Sequence, residues 1–204
     1  MIHIDPETLD NKARYKLLIG SVVPRPIAFV STVNRQGQTN LAPFSFFTAC
    51  GSSPMRVCFV PMIRSSDGQK KDTLRNIEAT KEFVVHVVSE SFVRQMSQTA
   101  GEYPPDISEF DEAGLTPVPS TVVKPPRVAE ALVAMECRLH QLVELGDAVG
   151  HGTIVVGDVV ALHFDESVLD EAEGKVRLDV LSPIGRLAGN SYCRITDTFD
   201  IARP

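Results

Sequence analysis

A mainly β fold with inserted helices, built on a largely antiparallel sheet or barrel, is what the sequence predicts. Short runs of β-branched and aromatic residues recur along the chain, and turn signals of hairpin type join them. No regular strand–helix repeat accompanies them, so a parallel α/β sheet is not expected. The 204 residues suffice for one substantial core, and one domain spanning 1–204 is expected, without internal repeat, linker or low-complexity tract.

In chain order, Asp5-Pro6 offers a helix cap followed by proline, and Leu9, Ala13 and Leu17 recur before Gly20. A short N-terminal helix follows from that pattern. "IAFVSTV" (27–33) reads as a strand, and Asn34-Arg35-Gln36-Gly37 reads as a hairpin turn with positive φ at the glycine. "MRVCFVP" (55–61) is a buried strand. Asp72 is the expected cap of a helix carrying Leu74 and Ile77 on one face. "FVVHVVS" (83–89) is too short and too β-branched for a helix, and "SESFVRQMSQ" starts a helix with serine at its cap.

Residues 101–127 are dense in proline (Pro104, Pro105, Pro117, Pro119, Pro125, Pro126) and cannot be regular throughout. A long excursion with an acidic turn of helix near 108–113 is expected, of a length that often serves as a lid or a partner-contacting arm. Segments 131–145 and 153–165 read as two long antiparallel strands joined through "GDAVGHG". Short strands are expected near 175–181 and 194–201.

A hydrophobic fraction of 43% with 23% charged residues is globular composition. The net charge of −6 leaves no cation surplus for a nucleic-acid backbone or an anionic membrane surface, so neither is an expected partner. The N-terminus carries no secretory pattern and no apolar run is long enough to span a membrane, so a cytoplasmic location is expected. Cys50, Cys58, Cys137 and Cys193 have no zinc spacing and read as reduced, mostly buried thiols. The five histidines form no ligand pair, so no metal site is expected. Dinucleotide, Walker A and nucleophile-elbow motifs are all missing, and "GDAVGHGT" is better read as a turn. Paired carboxylates such as Asp170-Glu171 and Asp111-Glu112 read as solvated turns.

Two segments remain that carry chemistry. In "NLAPFSFF" (40–47), Pro43 withdraws a backbone donor, so the segment belongs at a sheet edge or a bend with main-chain groups free for a ligand. Groups beside Asn40, Ala42 and Ser45 suit the hydrogen-bonding edge of a planar heterocycle, and Phe44, Phe46 or Phe47 suit its apolar end. Periodicity alone also allows the phenylalanines to be ordinary core. In "RSSDGQKKDT" (64–73), Arg64, Ser65, Ser66, Lys70, Lys71 and Thr73 precede a helix whose first-turn amides are unpaired, a setting suited to a phosphate. A solvated surface loop is the other reading. A ring site and a phosphate site separated by one strand together suggest a flavin mononucleotide.

The order "PRPIAFVST", a glycine turn, "NLAPFSFF", "GSSPMRVCFV", "KDTLRNI", "EFVVHVVS" and "GRLAGNSY" resembles the flavin reductase-like proteins, including flavoredoxin-type members. That resemblance covers about 180 residues and is densest between 20 and 90. It implies a Greek-key split β-barrel that binds FMN as a homodimer, with the flavin near the subunit interface. Asn40, Ala42, Ser45, Phe46 and Phe47 would lie along the isoalloxazine; Arg64, Ser65, Lys71 and Thr73 would surround the phosphate, with Arg25 reaching the same anion. Hydride transfer from NADH or NADPH to flavin is the implied activity, and no catalytic acid is required of the protein. A flavoredoxin-like carrier that meets a protein electron acceptor is the alternative, and a non-enzymatic ligand-binding protein on the same scaffold is a third. His86, where many relatives have asparagine, and "GSSPM", which replaces a more usual acidic residue and double proline, depart from the pattern.

Overall fold

The computed structural model describes residues 1–104 and 107–202. Its main sheet has seven strands: β1 (Ala28–Val33), β2 (Thr39–Phe44), β3 (Phe47–Ser52), β4 (Met55–Phe59), β5 (Glu82–Val87), β6 (Val133–Glu144) and β7 (Thr153–Phe164). All neighbours are antiparallel, in the spatial order β2-β1-β5-β6-β7-β4-β3. β5 returns beside β1 after the β3–β4 hairpin has gone to the far edge, which is the long return of a Greek key.

The two edge strands are consecutive in the chain. Only Ser45 and Phe46 separate the end of β2 from the start of β3. In a flat sheet, six strand spacings would hold those edges about 29 Å apart, whereas the chain from Phe44 to Phe47 reaches about 11 Å. The sheet must therefore curl until its edges meet. The result is a mainly β split barrel, open between β2 and β3, with Ser45 and Phe46 at the opening.

β1 is buried on both faces, and its alternate side chains enter two cores. Ala28 and Val30 point to the barrel interior with Phe44, Phe59, Phe83 and Val85, which helix α2 (Asp72–Thr80) closes with Leu74 and Ile77. Phe59 meets Phe44 at 5.1 Å and Phe83 at 5.6 Å between ring centroids. Truncating such a ring costs about 3–5 kcal/mol. Gly157 on β7 makes room for this stack, since a Cβ there would sit 2.3 Å from Phe83 Cζ. Ile27, Phe29 and Leu41 instead join Phe92, Met96 and Phe110 outside the barrel, under the short helices α3 (Val93–Gln98) and α4 (Glu109–Ala113).

The β1–β2 turn is as expected: Gly37 has φ of 85°, and Asn34 Oδ1 accepts from the N–H groups of Gln36 and Gln38. Several local expectations are corrected. The helix expected from Asp5 is two pieces, a 3-10 turn at Pro6–Thr8 and the α-helix α1 (Asn11–Ser21), because Asp10 provides a second cap by accepting from Ala13 N–H at 2.7 Å. Asp72 does not cap α2; Lys71 holds that position without a side-chain bond, because Arg64 and Arg75 engage the Asp72 carboxylate. Ser89 takes the expected cap position, but of a 3-10 turn (Glu90–Phe92) and without a side-chain bond, and its buried hydroxyl has no partner among the described residues. Of the strands expected near 175–181 and 194–201, Lys175–Val176 is present, paired with Leu169–Asp170, but Leu178–Leu181 is a four-residue helix; Tyr192–Arg194 pairs with Ile184–Arg186 in a hairpin, and described residues 195–202 form no strand. Of the cysteines only Cys137 is buried, since Cys50 lies on the exposed edge strand β3 and Cys58 and Cys193 are half-buried.

The 101–127 excursion packs against the sheet. Glu136, fully buried on β6, accepts from the N–H groups of Thr121, Val122 and Val123 at 2.6, 2.6 and 3.0 Å, and contacts His163 Nε2 at 2.6 Å. Burial pushes this carboxyl's pKa up, but the three amides and His163 outweigh it and hold the value below the ordinary one. Among the described residues, no helix is long and apolar enough to cross a membrane.

Candidate functional site

Three hollows follow the barrel opening. The first, about 90 Å³, is lined by Asn40, Ala42, Arg64, Lys71 and Thr73. The second, about 500 Å³, is lined by Arg25, Ser45, Met96, Arg186 and Tyr192. The third, about 430 Å³, is lined by Leu18, Val22, Phe46 and Phe47. Pro43 and Ala100 border both the first and second, while Arg25 and Ser45 border both the second and third. The three hollows are therefore adjacent, following the end of β2 and the opening.

The N-terminus of α2 sets the chemistry of the first hollow. The N–H groups of Leu74 and Arg75 bond to Lys71 O, whereas those of Asp72 and Thr73 have no acceptor among the described residues. Thr73 is buried, and its hydroxyl accepts from Asn40 Nδ2 at 2.9 Å. Lys71 has no ionic partner among the described residues, while Arg64 is paired with Asp67 at 3.1 Å and Asp72 at 3.3 Å. Unpaired amides, a free ammonium and a hydroxyl are the donor set an anion requires. Opposing them are three carboxylates in the lining, Asp72, Glu102 and Glu109. Burial pushes the pKa of Glu109 up, and Asp72 adds to the rise against the opposing bond from Leu41 N–H at 3.0 Å.

Several expected contributors to this hollow are elsewhere. Lys70 turns away to Glu78 and Glu144, at 2.6 and 2.9 Å. Ser65 is exposed and bonds to none of the described residues, and it is Ser66 that bonds to Glu102 at 2.9 Å. Arg25, expected to reach the same anion as Lys71, lies instead between the second and third hollows. Its Nη1 donates to Ile19 O and Val22 O, both at 2.7 Å, its Nη2 to Leu187 O at 3.0 Å, and its Nε to Ser45 Oγ at 3.3 Å. Burial lowers its pKa from the ordinary guanidinium value, with Tyr15 opposing and Arg186 reinforcing the shift.

Arg186 and Tyr192, in the far wall of the second hollow, are not among the expected site residues, although the 184–192 segment is expected to shape a nicotinamide pocket or to swap between subunits. Arg186 lies over the Tyr192 ring at 4.4 Å from its centroid, and Arg186 Nη2 donates to Gly189 O at 2.5 Å. Both residues belong to "GRLAGNSY", whose arginine and tyrosine six residues apart, either side of a glycine turn, are the signal that was available. His86 is not part of the cleft. It is fully buried, with Nδ1 2.8 Å from Phe29 O and Nε2 accepting from Val128 N–H at 3.0 Å. Burial brings its pKa down to about 4, so it is a neutral structural strut.

The opening of the split barrel thus carries a cation-and-amide pocket at one end and a wide, partly aromatic hollow at the other. Residues 19–180 match the family described as flavin reductase like domain, and the chain belongs to that family. It is similar to nitrilotriacetate monooxygenase component B from Bacillus cereus, with 37% identity, 98% of each chain covered and a TM-score of 0.93. Similarity to 2-nitrobenzoate 2-nitroreductase of Pseudomonas fluorescens is 35%, covering 100% of this chain and 96% of that one, with a TM-score of 0.89. The fold is also that of a flavin reductase with split barrel domain from Shewanella frigidimarina NCIMB 400, at 22% identity, full coverage of both chains and a TM-score of 0.85. Family membership supports a flavin cofactor and oxidoreductase activity.

Proposed function

We propose that this protein is an FMN-dependent oxidoreductase of the flavin reductase type, taking a hydride from NADH or NADPH. The observation that carries the reading is the adjacency of the amide and ammonium pocket to the hollow beside Ser45, with Pro43 and Ala100 bordering both. The donor set of the first hollow fits a phosphate, and the second hollow is large enough for a tricyclic ring. Bound FMN would supply the hydride-accepting chemistry.

The chain's own residues have three tasks. The Asp72 and Thr73 amides with Lys71 hold the phosphate. Asn40, fixed by its bond to Thr73, and Ala42 border the path between phosphate and ring. Ser45 and Phe46, in the two-residue link between edge strands, present a hydroxyl and an aromatic face.

A homodimer belongs to the proposal. Leu18 on α1 and Val22 just past its C-terminus are about half exposed, at 52% and 55%, and line the third hollow with Phe46 and Phe47; a second copy would cover that open apolar wall. The relative named as a monooxygenase component supports a separate protein as electron acceptor.

The experiment is a flavin absorbance scan of the purified protein with added FMN, followed by stopped-flow reduction with each nicotinamide. Bound flavin reduced rapidly by NADH or NADPH, with turnover when free flavin is the acceptor, is the expected result. Stable bound flavin without turnover would favour an electron carrier instead. No binding with FMN in excess would overturn the reading, and a monomer at all concentrations would overturn the dimer.

A further inference from the structure

Arg25 is 5% exposed, and a guanidinium that far from water normally has a carboxylate partner. None of its partners among the described residues is one: they are three carbonyls, the Ser45 hydroxyl and the Phe46 ring, 6.0 Å away at its centroid. Ile19 and Val22 stand at the C-terminal end of α1, where the helix dipole offers about half a negative charge. That leaves the guanidinium only partly compensated. The second hollow adds another cation, Arg186, and its lining contains no carboxylate. An uncompensated positive charge buried in the wall of a cavity costs stability and is retained where an anionic partner visits.

Ser45 gives the charge a direction. Arg25 Nε donates to Ser45 Oγ, so the oxygen is committed as acceptor and the hydroxyl proton is free to turn into the cleft that Ser45 borders. We infer that Arg25, acting directly by its charge and through Ser45 by orientation, makes the second hollow favour the flavin ring in its two-electron-reduced, negatively charged form.

This rests on the FMN reading and adds to it a residue that sets the redox bias of the site. Transfer of a hydride from the dihydronicotinamide carbon breaks a C–H bond, forms an N–H bond on the ring, oxidises the nicotinamide and leaves one added negative charge on the ring's pyrimidine side. Arg25 and Arg186 together neutralise that charge with no proton taken from a side chain, which agrees with the lack of an acidic group in the lining.

The test compares affinities for oxidised and for anaerobically reduced FMN, together with the reduction potential of the bound flavin, in wild type, Arg25→Gln, Arg25→Lys, Ser45→Ala and Arg186→Gln. Arg25→Gln should shrink the reduced-to-oxidised affinity ratio by about tenfold or more, equivalent to a fall of about 30 mV in potential for a two-electron couple. Arg25→Lys should recover most of the ratio even though it cannot reproduce all three carbonyl bonds. A purely structural role would lower the melting temperature and weaken both redox forms equally, with no rescue by lysine, and would overturn the inference. Should Arg25→Gln fail to fold, an unchanged potential in Ser45→Ala overturns it, and a lowered potential in Ser45→Ala supports it. Wild type that binds no FMN removes the functional reading and this inference together; wild type that binds FMN with a ratio indifferent to all four variants removes only the inference.

Discussion

The two ends of the cleft are opposites in charge. Two cations and three carboxylates line the first hollow, while the second has two guanidiniums and no carboxylate. The loop richest in cations along the sequence is thus not the most electropositive part of the folded cleft. Lys70 is consumed by Glu78 and Glu144, and Arg64 by Asp67 and Asp72. Recognition of an anion in the first hollow must therefore rest on directed amides and one free ammonium. In the second it rests on charge. A directed site selects shape and reads phosphate from its absence; a charged one responds to a change of charge on whatever occupies it.

The largest effect that separates the two ends is expected from Lys71→Ala combined with Thr73→Ala. Losing a charged donor and a buried hydroxyl should weaken FMN binding by about 30-fold or more, since each such bond is worth about 1–3 kcal/mol. Riboflavin, which has no phosphate, should bind the variant and the wild type alike, and Lys12→Ala should change neither affinity. Fluorescence titration measures all of these. If Arg186→Gln abolished the preference for FMN over riboflavin while the double variant kept it, the phosphate would belong in the second hollow.

A smaller effect of opposite sign is expected from Glu109→Gln. The raised pKa of Glu109 means that the folded chain holds this proton more tightly than the unfolded chain does. Its contribution to stability is full below the ordinary carboxylate value, about 4.3, and is lost as pH rises through the folded value. A phosphate arriving in the same hollow raises that pKa further, so FMN binding takes up a proton and weakens as pH rises through this window. Removing the charge should strengthen FMN binding at neutral pH by about threefold to tenfold, on the scale of one screened charge pair, and flatten the acid limb of the pH profile. Affinity unchanged at every pH would place the phosphate out of reach of Glu109.

The barrel was largely legible because its signals are local. The Asn34 to Gly37 turn, the β-branched run of β1 and the proline that confines β2 to an edge all act within a few residues of themselves. Register follows from them. Asn40, Ala42, Lys71 and Thr73 do meet in one hollow, because the edge strand and the start of α2 were both readable. What stayed hidden is pairing over distance. Arg25 is fixed by Leu187, 162 residues away, and Lys70 by Glu144, 74 residues away. Asp72 reads as a cap until two arginines compete for it. Counting charges in a segment cannot reveal which of them the rest of the chain neutralises.

The smallest expected effect concerns Ser65, which the motif groups with the phosphate ligands. It is exposed, in a turn that Arg64 and Asp67 hold together, and it bonds to none of the described residues. Thr73, by contrast, is 1% exposed and tied to Asn40. Ser65→Ala should therefore change FMN affinity by less than about twofold and stability by less than about 0.5 kcal/mol, the usual range for a surface substitution, whereas Thr73→Ala alone should cost several-fold in affinity. A tenfold loss with Ser65→Ala, read in the same fluorescence titration, would mean that the 64–69 turn closes on the phosphate when it binds. The first hollow would then gain a hydroxyl, and Arg64, already in its lining, would turn from Asp67 and Asp72 onto the phosphate, so the charge contrast between the two ends would hold only for the flavin-free protein.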